Sequence, residues 1–202
     1  MEKINKDKIV EVLNNHGVIA FPTETVMGLG VYFDDELAFQ KLNNVKERPS
    51  DKPYTLMLNS TESIGNYAIL NERDKRIIEH FMPGPITILV KAKENIPPWV
   101  DLGTGVIGIR VPEYETTKVV LEACGKPLLV PSANKSGQCP AMNSEEVYKT
   151  FGSNIDYIVE GAAGMQKPST IIDLTKKDIK IIREGPVSLD AVKDILGGSL
   201  WL

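Results

Sequence analysis

Short runs of β-branched and aliphatic residues alternate with amphipathic segments along most of the chain, the pattern of a sheet flanked by helices. The runs that read as strands are Gly17–Phe21, Tyr54–Leu58, Ile86–Lys91, Val106–Val111, Pro127–Val130, Tyr157–Val159, Thr170–Leu174 and Ile179–Arg183. Between them the apolar positions change to helical spacing. Asp34 is placed to cap a helix running to about Val45, in which Ala38, Leu42 and Val45 recur at i, i+4 and i+7. Asn71 opens a second helix carrying Ile77, Ile78 and Phe81, and Pro83-Gly84-Pro85 stops it. Further helices end at Gly125 and, over Asn143–Phe151, at Gly152; a last one, Leu189–Leu196, ends at Gly197-Gly198. Thr175–Asp178 is too short for a helical crossover, so the last two strands form an antiparallel hairpin and the sheet is mixed.

A length of 202 residues fits one domain spanning 1–202. The composition, 42% hydrophobic and 25% charged, excludes a disordered or fibrous chain. Its formal net charge of −4 means that any RNA contact must come from a local patch, because the global field repels nucleic acid. Cys124 and Cys139 have neither metal-ligand spacing nor a CxxC pattern, which points to a reducing cytoplasm and away from a zinc site. The charged start, Met1-Glu-Lys-Ile-Asn-Lys-Asp-Lys, is not that of a signal peptide, and no later run is long enough to span a bilayer. Neither export nor membrane insertion is expected.

Candidate chemistry gathers in three loops: Pro22-Thr-Glu-Thr-Val-Met-Gly-Leu-Gly30, Lys46-Glu-Arg-Pro-Ser-Asp-Lys52 and Pro131-Ser-Ala-Asn-Lys-Ser-Gly137. The first and third leave the carboxyl ends of strands, where open α/β sheets hold ligands. Lys46, Arg48 and Lys52, spaced around a proline, can converge on a polyphosphate, or they can simply complement a helix C-terminus. Arg110 ends an apolar strand and needs an anion, either a structural Asp or Glu or a substrate carboxylate; Arg183 poses the same choice. Ser132 and Asn134 are equally able to make local turns or to donate to ligand oxygens. Neither a G-x-x-x-x-G-K-[ST] nor a G-x-G-x-x-G motif is present, and His16 and His80 lie outside the loops, which disfavours a histidine-assisted hydrolase.

Taken in order, Pro22-Thr-Glu-Thr-Val-Met-Gly-Leu-Gly, K-x-R at Lys46/Arg48, Gly108-Ile-Arg-Val-Pro, S-x-N at Ser132/Asn134, Ser136-Gly137, Ser169-Thr-Ile-Ile-Asp and Ile182-Arg-Glu-Gly resemble the YrdC/TsaC family. The resemblance implies an α/β fold, a twisted mixed sheet with flanking helices around a concave basic cavity. It also implies a threonylcarbamoyl-AMP synthase: L-threonine, bicarbonate and ATP give threonylcarbamoyl-AMP, pyrophosphate and water. A downstream threonylcarbamoyl transferase complex then passes the group to tRNA. Carried over by motif, Lys46, Arg48, Ser132 and Asn134 are the catalytic set. Arg48, Lys52, Asn134, Met142 and Arg183 face ATP, and Thr23, Met57, Arg110, Ser132 and Ser169 face threonine. Mg2+ is expected to arrive bound mainly through ATP phosphates, with no protein metal site.

Three positions depart from the family pattern: Met27 replaces a tyrosine, Met57 a histidine found in some members, and Met142 a threonine that meets the nucleotide. These exchanges give up hydrogen bonds and bear on affinity and amino-acid choice. The extra C-terminal domain of longer members is not expected. The competing functions are a double-stranded-RNA-binding module of the same fold, with possible tRNA contact, and a carbamoyl-transfer domain. The latter normally sits in a much larger chain.

Overall fold

The computed structural model describes residues 4–48, 53–165 and 167–197. In chain order they form α1 (Lys6–Asn14), β1 (Ile19–Pro22), β2 (Met27–Tyr32), α2 (Glu36–Lys46), β3 (Thr55–Met57), β4 (Ala68–Ile69), α3 (Glu72–Phe81), β5 (Ile86–Ala92), α4 (Pro98–Asp101) and β6 (Val106–Arg110). Next come α5 (Glu115–Cys124), β7 (Leu128–Leu129), α6 (Ser144–Phe151), β8 (Tyr157–Ile158), β9 (Thr170–Asp173), β10 (Lys180–Arg183) and α7 (Leu189–Ile195). The strands join one mixed sheet in the order β10-β9-β5-β6-β3-β7-β2-β1-β8, and β4 pairs with β5 beside that path.

Both faces of the sheet are covered, which is why its strands read as nearly continuous apolar runs. On one face Ile9 and Leu13 of α1 and Val120 and Leu121 of α5 pack against Ile19, Phe21, Leu128 and Val130. On the other, Ala38 and Leu42 of α2, Ile77 of α3, Val147 of α6 and Val192 of α7 meet Ala20, Leu29, Ile88 and Ile109. Period-two alternation thus divides β1 between two cores.

Most helix ends follow the expected chemistry. Asn71 and Asp74 form a reciprocal capping box at the start of α3, and Gly125 closes α5 in the left-handed region at φ 67°. Gly197 likewise follows α7 at φ 78°, whereas Gly198 lies outside the described residues. The cap of α2 is Asp35, not Asp34. Asp34 is engaged with Lys126 at 2.7 Å, while Asp35 Oδ1 accepts from the Ala38 amide at 3.0 Å.

The stretch Pro22–Gly30 is not one loop. It is a β1–β2 hairpin in which only Thr23–Val26 turn, with Phe21 opposite Gly28 and Ile19 opposite Gly30. Its glycines serve strand contact: a Cβ on Gly28 would lie 2.7 Å from Val130 Cγ1, and one on Gly30 2.7 Å from Phe21 Cε1. The expected hairpin of β9 and β10 is present and antiparallel. Among the described residues no helix is long and apolar enough to cross a membrane.

Candidate functional site

Parallel pairing of β3 with β6 puts Met57 in register with Arg110 at the carboxyl ends of both strands. There a cavity of about 140 Å³ is lined by Thr25 and Val26 of the first hairpin, Arg48, Tyr54, Met57, Arg110, Ser132, Ser169 and Arg183. Among the described residues the lining holds three arginines and neither aspartate nor glutamate. Guanidinium groups gathered around a small pocket are chemistry for anions.

Arg110 is buried, and its Nη2 donates to Glu24 Oε1 at 2.8 Å and to Thr25 Oγ1 at 3.0 Å. The structural ion pair left open from sequence is therefore formed. Glu24 Oε1 also accepts from the Glu113 amide at 3.2 Å, while Glu24 Oε2 and Arg110 Nε are buried without a hydrogen-bond partner among the described residues. Thr23 does not line the cavity; its hydroxyl donates to the Val26 carbonyl at 2.8 Å and shapes the hairpin turn.

Across the cavity Arg183 Nε donates to the Ser169 carbonyl at 3.0 Å and Nη2 to Ser169 Oγ at 3.1 Å. The same Oγ lies 3.0 Å from the Thr87 hydroxyl. Partial burial, and after it the charge of Arg110, lower the Arg183 pKa. Gly185 makes this geometry possible, since a Cβ there would overlap the Thr170 amide nitrogen and the Ser169 carbonyl carbon. Gly185→Ala is expected to force β10 away from β9, to cost about 1–3 kcal/mol in urea denaturation and to weaken any ligand that depends on Arg183. An unchanged unfolding midpoint would contradict that close approach.

On the third side, Arg48 Nη2 donates to the Pro53 carbonyl at 3.0 Å, and its guanidinium carbon lies 4.6 Å from the Tyr54 ring centroid. Tyr54 is anchored in turn by its hydroxyl on Asn43 Oδ1 at 2.6 Å, and its pKa is raised, chiefly by burial.

Lys46 behaves differently. Its side chain ends against the third loop, where Nζ donates to the Ser132 carbonyl at 2.5 Å and the Asn134 carbonyl at 2.6 Å. Ser132 Oγ donates to Asn134 Oδ1 at 2.5 Å, and Asn134 Nδ2 to the Lys135 carbonyl at 2.8 Å. Burial, helped by the charge of Arg48, lowers the Lys46 pKa from 10.5 to about 7. Between these values the unfolded chain holds more protons than the folded one, so this group makes stability rise with pH. Relative to Lys46→Met, the wild type is expected to gain about 2 kcal/mol between pH 7 and pH 9 in urea titrations. A pH-independent difference would contradict the shift.

A match to the Sua5/YciO/YrdC family model, described as "Telomere recombination", extends over residues 11–185 and so takes in every one of these segments. The chain belongs to this family. It is 35% identical over 167 residues to the threonylcarbamoyl-AMP synthase of Klebsiella pneumoniae, covering 81% of this chain and 88% of that one. Identity to the threonylcarbamoyl-AMP synthase of Pyrococcus abyssi is 31% over 182 residues, 89% of this chain and 54% of the relative. The crystal structure of P. abyssi Sua5 complexed with L-threonine superposes with a TM-score of 0.91 at 30% identity, covering 97% of this chain and 59% of that one. The family member described here thus spans little more than half the length of its Pyrococcus relative.

Of the residues singled out by motif, the structure brings Arg48, Met57, Arg110, Ser132, Ser169 and Arg183 around one cavity. Asn134 adjoins it through Ser132. Met142 stands just before α6, its amide on Glu146 Oε2 at 2.7 Å, and Met27 is wholly buried in the core. Lys52 lies outside the described residues. Glu24, Thr25 and Thr87 went unnoticed in the sequence as site residues. A buried hydroxyl in the apolar run Ile86-Thr-Ile-Leu-Val and an acid between two threonines beside a strand end were the available signals, because both demand partners once buried.

Proposed function

We propose that this protein is a nucleotidyltransferase that makes threonylcarbamoyl-AMP and pyrophosphate from L-threonine, bicarbonate and ATP, in the cytoplasm, for tRNA modification. The observation that carries the reading is the small cavity lined by three arginines and, among the described residues, no acid, in a chain aligned over most of its length with synthases of that name. At about 140 Å³ the pocket suits an amino acid, well below the volumes that enclose larger ligands. The threonine carboxylate belongs beside Arg110, with the hydroxyls of Thr25, Ser132 and Ser169 around it. The ATP phosphates belong at the cavity mouth between Arg48 and Arg183, with Asn134 and Met142 on the nucleotide side.

In this arrangement the threonine amine combines with bicarbonate to give a carbamate, releasing water. The carbamate oxygen attacks the α-phosphate of ATP, and pyrophosphate leaves. Because the nucleophile is already anionic, the protein supplies no strong base; it aligns two anions and offsets charge at the phosphorus. The described residues contain no group of three or more His, Cys, Asp or Glu side chains able to hold a metal, and Glu24 is engaged by Arg110. Mg2+ carried by the ATP phosphates would neutralise charge on the leaving pyrophosphate. A threonylcarbamoyl transferase complex is the downstream partner.

Pyrophosphate release from ATP is expected to require both threonine and bicarbonate. Release at the same rate without threonine would refute the reading. Met57, at the cavity wall, makes serine the informative competitor.

A further inference from the structure

Lys46 carries the family's K-x-R lysine, yet its ammonium is not among the cavity-lining groups and the residue is only 1% exposed. Two backbone carbonyls of the S-x-N loop receive its N–H groups, from Ser132 and Asn134. The connection is reciprocal, since the Ser136 amide donates to the Lys46 carbonyl at 3.0 Å. A surface pair between Lys135 and Glu47, at 2.5 Å, joins the same two segments from outside. The last turn of α2 and residues 132–136 are therefore stitched together at four points. The two carbonyls that Lys46 holds belong to Ser132, which lines the cavity, and to Asn134, whose side-chain oxygen accepts from the Ser132 hydroxyl.

We infer that Lys46 is a positioning residue: its terminal amino group fixes the S-x-N loop so that Ser132 and Asn134 present their side chains to the substrates, and it does not itself touch the ATP phosphates. The inference rests on the proposed reaction for what the loop contacts, but not for the loop's dependence on Lys46. A terminal amine is suited to the task because, protonated or neutral, it carries at least two N–H donors and can serve two carbonyls at once, where an apolar side chain of the same length offers none. Of the two K-x-R cations, only Arg48 then meets the substrate. The two side chains diverge because they leave the end of α2 in different directions, one toward the third loop and one toward Tyr54.

The test is made on ligand-free protein. Hydrogen exchange in Lys46→Met is expected to speed up at least tenfold across residues 132–138 while β1, β5 and β6 keep wild-type protection. L-threonine affinity without ATP is expected to fall at least tenfold, and no further when Ser132→Ala is added. Wild-type loop protection and threonine affinity in Lys46→Met, combined with lost ATP turnover, would overturn the inference, because that is the signature of a phosphate contact. Should exchange in Lys46→Met rise across every strand, Lys46→Gln decides, since it keeps amide N–H donors without the charge. Loop protection between the Met variant and the wild type supports positioning, whereas full loop protection with no turnover contradicts it. A wild-type protein that fails to bind threonine would count against the proposed reaction, and the exchange result would still judge Lys46.

Discussion

Arg48→Ala is expected to lower kcat/KM for ATP-dependent pyrophosphate release by two to three orders of magnitude while the protein stays folded. The loss follows from its place in the cavity lining together with Arg183, where a guanidinium can meet charge as it develops on the transferring phosphoryl group. A preorganised donor at such a position typically contributes about 3–4 kcal/mol to the transition state. The structural cost is smaller. Arg48 is half-buried, and its contact with the Tyr54 ring is worth about 1 kcal/mol. Steady-state kinetics beside thermal unfolding separate the two effects, and a large drop in Tm with little change in kcat/KM would reverse the assignment.

Glu24→Gln is expected to have the largest effect on stability, about 3–5 kcal/mol. Breaking a buried pair leaves the remaining charge uncompensated, and among the described residues the other acceptor of Arg110 is the Thr25 hydroxyl. The double variant Glu24→Gln/Arg110→Met is expected to be more stable than Glu24→Gln alone, because it removes the stranded guanidinium. Threonine should partly restore the single variant, since a bound carboxylate replaces the missing anion. Urea denaturation with and without threonine measures all three, and a loss below about 1 kcal/mol in Glu24→Gln would show that the pair is not structural.

The strands that sequence reveals best are those buried on both faces. Ile86–Ala92 and Val106–Arg110 announce themselves through unbroken aliphatic runs. β2 escapes notice because Gly28 and Gly30 imitate turn residues, when in fact they let the strand lie against Val130 and Phe21. β4 is too short, at two residues, to show any period. At the site, the loops that converge are legible because strand ends and a basic cluster mark them. What each side chain touches is not. Nothing near Lys46 in the chain says that its ammonium ends on carbonyls 86 and 88 residues away. Arg110 shows the opposite case: its need for an anion is readable from an arginine on an apolar strand, but Glu24 is selected only when β6 and the first hairpin come together.

The most direct test of the proposed reaction is to follow labelled carbon. Incubated with ATP, L-threonine and 13C-bicarbonate, the protein is expected to yield an adenylate whose mass contains AMP, threonine and one labelled carbon, with an equal amount of pyrophosphate. An adenylate without the label, or pyrophosphate released with no threonine-containing product, would contradict it.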